Sequence, residues 1–188
     1  MVYFLKDISD DVRSSQSTFY HYKRTRKLIL ASIFACLAAI FQSAGGYLPG
    51  IGYLISPLAT APILLCSLLS IPYGLMSYLL TIMLLVFLQP TELIIFPFTT
   101  GILGLAIGAP FHFFRKRINI IATGSVLLAF GIMSLLYLLR FPVLGPGVSN
   151  SFSLLTMLGI LLFTFLYSWL WAEIALAIVK RLKAIIVE

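Results

Sequence analysis

The chain first becomes apolar at residues 27–40, which read KLILASIFACLAAI. The apolar segment continues to residue 46, and about 20 such residues are enough for an α-helix to cross the hydrocarbon core of a bilayer. Five more apolar segments follow, separated by turn residues or by charge. We therefore expect six membrane spans, at residues 28–46, 52–70, 72–89, 92–113, 118–139 and 153–179.

The composition agrees with a membrane protein. Of the 188 residues, 61% are hydrophobic and only 10% are charged, whereas a soluble domain carries about 25% charged residues. The mean hydropathy is +1.06, which leaves too little polar surface to cover a globule in water. The sequence predicts an all-α membrane protein with a single transmembrane domain in the lipid bilayer.

Prolines mark the second span. Pro57 and Pro62 both lie within it, and each removes a backbone hydrogen bond that neighbouring helices or water must replace. We expect this span to be kinked or partly broken.

The basic residues indicate the orientation, because Lys and Arg in short loops concentrate on the cytoplasmic side. Six of them precede the first span, three follow the fourth at 115–117, and three follow the sixth. With six spans, twelve of the thirteen then lie on one side, and only Arg140 lies opposite. This predicts cytoplasmic amino and carboxyl ends, with a basic segment at 1–27, the transmembrane domain at 28–180 and a short tail at 181–188. The net charge of +7 then belongs to these flanks and does not indicate nucleic-acid binding.

The segment before the first span mixes aromatic, acidic, serine and basic residues. It fits either a short helix at the membrane interface or a disordered basic tail on anionic lipid.

No constellation typical of an enzyme occurs in the sequence. It lacks HExxH, GxSxG and Walker A motifs and has no pair of acidic residues within one span. Cys36 and Cys66 lie in apolar runs without metal-ligand spacing. We expect no catalytic residues, no metal and no cofactor, and any ATP hydrolysis would belong to another polypeptide.

Small residues form two stripes at helical spacing. Ala31, Ala35 and Ala39 share one face of the first span, and Gly101, Gly104 and Gly108 lie along the fourth. Such stripes let helices approach closely in lipid. The alanine stripe is predicted either to dock a partner or to pack inside this protein, whereas the glycine stripe favours internal packing.

Glu173 is the only acidic residue placed well within a span. Because a charge in the membrane is costly, it should face protein or water. Its helical neighbours Trp169 and Ala177 are expected to share an inward face, in either a structural or a coupling role.

Polar and aromatic residues collect at the predicted outer ends of the spans. Together they could line a pocket for a small ligand, since such sites combine aromatic walls with a few polar groups. Alternatively, Glu92 and Arg140 are ordinary water-exposed loop residues, either separate or paired with each other. The predicted substrate-binding residues are Gln42, Tyr47, Glu92, Tyr137, Arg140 and Asn150.

These features resemble the substrate-binding S components of energy-coupling factor transporters, which capture vitamins and other micronutrients in prokaryotes. The length and the six-helix plan match, and Ala31, Ala35 and Ala39 look like the family's docking motif. The stretch from Pro49 to Gly74 is similar to its proline-rich second span and glycine-marked third.

The resemblance implies binding without catalysis. The chain would hold a small-molecule substrate near the outer face of a prokaryotic inner membrane. It would then join a transmembrane coupling subunit and two ATPase subunits, which drive uptake. The sequence also fits a function of a different class: a non-transporting scaffold in cell-envelope assembly, whose small-residue stripes and basic tail recruit protein partners.

Overall fold

The computed structural model describes residues 10–48, 50–141 and 154–187, and all regular structure in these ranges is helical. Within these ranges six helical segments are long and apolar enough to cross a membrane, as many as the six spans expected from the sequence. The helices are α1 Asp10–Tyr20, α2 Arg24–Tyr47, α3 Gly52–Ile55, α4 Thr60–Leu69, α5 Ile71–Leu88, α6 Glu92–Phe98, α7 Thr100–Gly108, α8 Arg117–Met133 and α9 Leu154–Val187.

The second span is interrupted where its prolines predict. It comprises α3, a 3-10 turn at Ser56–Ala59 that begins just before Pro57, and α4. Proline has no N–H, so an α-helix that continued through Pro57 would lack one backbone hydrogen bond. The chain instead forms a tighter 3-10 turn at this position.

The fourth span is also broken, at a position where no break is expected from the sequence. α6 ends at Phe98, and α7 begins at Thr100. Between them Thr99 has φ −123° and ψ −96°, outside helical geometry. Pro97 lies two residues earlier, so the break follows the one residue in this stretch that cannot donate a backbone hydrogen bond. The fifth span ends differently, in a π-helical turn at Ser134–Leu138.

The centre of the bundle is α4, which contacts α2, α5 and α7. A larger apolar cluster joins α4, α7, α8 and α9, and a smaller one around Ala38, Leu85 and Phe96 joins α2, α5 and α6. The glycine stripe lies inside the bundle: Gly104 packs on Ile63 and Gly108 on Ser67. Internal packing of that stripe is therefore confirmed.

Successive spans run in opposite directions, as specific contacts at each end show. At one end Gln16 donates to the Leu68 carbonyl, and Arg117 pairs with Glu173. At the other end the hydroxyl of Tyr47, the last residue of α2, donates to the carbonyl of Leu88, the last residue of α5. The described basic residues of all three clusters therefore lie at the same end of the bundle, which we call the basic end.

The amino-terminal segment is an ordered part of this bundle from residue 10 onward. Val12 and Phe19 on α1 are both buried, and α1 packs on α4 and α9. The prediction of a disordered tail is therefore wrong for the residues of α1, because the apolar face of this helix packs against the bundle. Residues 1–9 lie outside the described ranges.

Candidate ligand-binding site

Two of the residues predicted to bind substrate meet in a direct hydrogen bond. The Nε2 of Gln42 on α2 donates to Oε2 of Glu92, the first residue of α6, over 2.7 Å. Gln42 is 1% exposed and Glu92 is 7% exposed. The alternative in which Glu92 is a water-exposed residue paired with Arg140 is therefore wrong. The Glu92 carboxylate is buried, and it accepts a hydrogen bond from the side-chain amide of Gln42.

A third residue, Thr100, completes this network. Its hydroxyl donates to Oε1 of Gln42 over 2.6 Å. Thr100 opens α7 immediately after the break at Thr99, so the broken fourth span supplies both Glu92 and Thr100 to the same glutamine. Sequence reasoning missed Thr100. The signal was present, since two adjacent threonines follow Pro97 in the middle of an apolar span.

The network contains an acidic side chain without a matching cation among the described residues. The described residues contain one ion pair, between Arg117 and Glu173, and it lies at the basic end. Glu92 therefore has one amide donor where a buried carboxylate ordinarily needs several donors or a cation. A site of this kind suits a ligand group that brings positive charge or N–H donors.

Glycine lets α2 approach the carboxylate closely. A Cβ at Gly45, one turn beyond Gln42, would lie 2.9 Å from the Glu92 Oε1. Any larger side chain at this position would displace the Glu92 carboxylate.

Next to the break, the ring of Phe96 is stacked against Tyr78 with 5.7 Å between the ring centres, and the Tyr78 hydroxyl donates to the Pro97 carbonyl. Aromatic and polar groups thus meet beside the break.

The other predicted substrate-binding residues lie outside this network. Tyr47 is exposed, and its hydroxyl contacts the end of α5. Tyr137 is half-buried and packs against the larger apolar cluster. Arg140 is exposed at the end of the fifth span with φ 51°, in the left-handed region. Asn150 lies outside the described residues.

The alanine stripe is a packing face of this chain. Ala31, Ala35 and Ala39 are all fully buried, and the Thr81 hydroxyl on α5 lies 3.3 Å from the Ala35 carbonyl oxygen. The predicted docking role for this face is therefore corrected: the third span already occupies it. The opposite face of α2 is exposed and carries a groove of about 450 Å³ that includes Ser32 and Cys36.

Glu173 has a structural partner in the ion pair with Arg117. Its carboxylate accepts from one guanidinium nitrogen at 3.1 and 3.3 Å, which joins the start of α8 to α9. The expected inward face is corrected, because Trp169 and Ala177 are both exposed. The buried face of α9 instead carries Ser168, Trp171, Ala172 and Ala175.

No group of three or more His, Cys, Asp or Glu side chains in the described parts of the chain could hold a metal ion. In comparisons with known proteins, no family model, no curated protein and no solved structure matches this chain. The helices therefore define its class: an all-α, multi-pass membrane protein with six segments able to span a bilayer.

Proposed function

We propose that this chain is a membrane-embedded binding protein for a small solute, and that the solute is held at Gln42, Glu92 and Thr100. The observation that carries the proposal is the buried Glu92 carboxylate, which has an amide partner but no counter-charge among the described side chains. Burying such a group inside a bundle costs free energy unless a hydrogen-bonding or charged partner compensates for it.

The interrupted spans support a binding role. Transporters commonly place polar ligands where membrane helices are discontinuous, because unwound backbone and half-helix ends can then contact the ligand. Here Glu92 and Thr100 flank the broken fourth span, and the smaller apolar cluster beside them includes Ala59 from the 3-10 turn of the second. The site's charge favours a solute with an ammonium or another cationic or N–H donor group.

The more specific proposal is that the protein serves as the substrate-binding subunit of an ATP-driven uptake transporter, with a vitamin or micronutrient as the solute. Its partners are then a transmembrane coupling subunit and two ATPases in a prokaryotic cell membrane. Since the alanine stripe is buried, a coupling subunit that docks on α2 would meet the opposite face, at the groove beside Ser32 and Cys36.

Affinity purification from native membranes in mild detergent tests both levels of the proposal. Mass spectrometry is used to identify the proteins and small molecules that co-purify with the wild-type chain and with Glu92→Gln. We expect a retained metabolite that is lost from Glu92→Gln, together with a coupling subunit and ATPases in both samples.

The matched control is Glu173→Gln, which removes an acid at the opposite end and should retain the metabolite. An identical metabolite content in all three samples would exclude Glu92 from the binding site. Envelope-assembly proteins without ATPases would instead favour the scaffold function.

A further inference from the structure

A second cavity lies at the basic end of the bundle, away from the Gln42 network. It has a volume of about 280 Å³ and opens where α1, the start of α2 and the turn between α4 and α5 meet the end of the fourth span. Its polar lining residues are Gln16, Lys27, Ser70 and His112, and Phe19 and Pro72 are among its apolar ones.

Backbone contacts hold these polar side chains at the cavity. Gln16 donates to the Leu68 carbonyl at 2.9 Å, and the Nε2 of His112 lies 3.0 Å from the Ser67 carbonyl oxygen. The ammonium of Lys27 donates to the Tyr20 carbonyl at 2.8 Å and lies 5.2 Å from the centre of the Tyr20 ring. An ammonium has three donors, so further donors remain for a ligand.

The surroundings of the cavity are strongly basic. Lys23, Arg24 and Arg26 are exposed on the amino-terminal side of Lys27, and Arg115 and Lys116 are exposed just after His112. None of the described lining residues is acidic. The local charge therefore favours an anion.

An apolar track leads away from the cavity along α5. Leu75, Leu79 and Met83 are exposed at helical spacing, and they begin one turn after Pro72, which lines the cavity. A ligand that occupies both features has an anionic head and an apolar tail. A free phosphate or a soluble phosphate ester would use the cavity alone.

We propose that this cavity binds the headgroup of an anionic phospholipid, with its acyl chain along α5. Basic cavities between membrane helices on the cytoplasmic side commonly bind such headgroups, and the positive-inside tendency puts this end in the cytoplasm. Lys27 contacts the headgroup phosphate, and Ser70 and His112 provide further hydrogen-bonding groups. The bound lipid would hold α1 against the turn between α4 and α5.

Native mass spectrometry of the full chain, released from detergent micelles, tests the proposal. The probes are phosphatidylglycerol and phosphatidylcholine with identical acyl chains, each titrated against the wild type, Lys27→Gln and Lys180→Gln. Lys180 is exposed at the same end but does not line the cavity, so it controls for the loss of one positive charge. We expect preferential binding of phosphatidylglycerol, weakened about fivefold by Lys27→Gln and unchanged by Lys180→Gln.

Two further variants keep the test independent of folding. Lys27→Arg retains the charge and should retain binding, and His112→Ala removes another lining side chain and should weaken binding while Lys27 is intact. Equal binding of the two lipids, or equal losses in Lys27→Gln and Lys180→Gln, would overturn the proposal. Displacement of the lipid by millimolar inorganic phosphate would also overturn it, because the cavity would then bind free phosphate.

Discussion

The side-chain amide of Gln42 bridges two residues that lie on either side of a helix break, donating to Glu92 at 2.7 Å and accepting from Thr100 at 2.6 Å. One glutamine on α2 thus holds both halves of the broken fourth span. The bond to Glu92 is charge-assisted when the carboxylate is ionised, and such bonds are stronger than neutral ones. The proposed site and the contact between the two halves of the fourth span therefore share one side chain.

Replacing Gln42 with Leu should destabilise the protein by about 1 to 3 kcal/mol, because the buried Glu92 carboxylate loses its donor. Equilibrium unfolding in mixed micelles, followed by circular dichroism, measures this loss. Adding Glu92→Leu to Gln42→Leu should recover part of the stability, since an apolar pair leaves no unsatisfied carboxylate. A double variant less stable than Gln42→Leu alone would show that Glu92 is stabilised by something other than this amide.

Tryptophan should lower the stability of the protein at one position on α2 and leave it unchanged at the adjacent position. Ala35→Trp places a large ring against α5 at a fully buried position, and overpacking of this kind costs about 1 to 3 kcal/mol or more. Cys36 is exposed on the other face, so Cys36→Trp should leave the melting temperature and the monodispersity of the purified protein unchanged.

The variant Cys36→Trp also tests the docking surface in the proposed transporter. Cys36→Trp should block co-purification of the coupling subunit while the metabolite stays bound. A full complement of coupling subunit on Cys36→Trp would mean that this face of α2 is not where the partner docks.

Two glycines provide a matched test of close helix packing. A Cβ at Gly131 on α8 would overlap the carbonyl oxygen of Phe98, whereas a Cβ at Gly159 on α9 would meet no atom within 4 Å. Gly131→Ala should therefore lower the free energy of unfolding by about 1 to 3 kcal/mol. Gly159→Ala should be neutral or slightly stabilising, because alanine favours a helix. Equal effects would contradict the close approach of α8 to the end of α6.

The number of helices able to span a membrane could be predicted because each is a long apolar run, and hydropathy reports such runs directly. The sequence also predicted the interruption at Pro57, where the chemistry is local. The break at Thr99 was not predicted, since a proline can either bend or break a helix, and the neighbour of Phe98 at this point, Gly131 on α8, lies far away in the sequence.

The site was only partly predictable for a related reason. Gln42 and Glu92 stood out as polar residues at span ends, yet their pairing depends on which helices are neighbours. The alanine stripe shows the same limit: its spacing identifies a packing face, but not whether the occupant is another protein or this chain's own α5.

The ion pair between Arg117 and Glu173 should stabilise the contact of α8 with α9. Glu173→Gln is expected to cost about 1 to 3 kcal/mol, because Arg117 is only 16% exposed and loses a charged partner. The exchanged double variant, Arg117→Glu with Glu173→Arg, should be more stable than Arg117→Glu alone when both are measured by thermal unfolding. If the exchange gives no recovery, the two charges act independently.

The sidedness of the membrane can be tested with single cysteines at the two ends of the bundle. Thr91 is exposed in the turn between α5 and α6, and Arg115 is exposed at the basic end. In a background with Cys36→Ser and Cys66→Ala, a membrane-impermeant maleimide applied to intact cells should label Thr91→Cys. It should label Arg115→Cys only after lysis, because Lys and Arg concentrate in the cytoplasm. The reverse pattern would place Glu92 and its network at the cytoplasmic face, and uptake from outside could then not begin at this site.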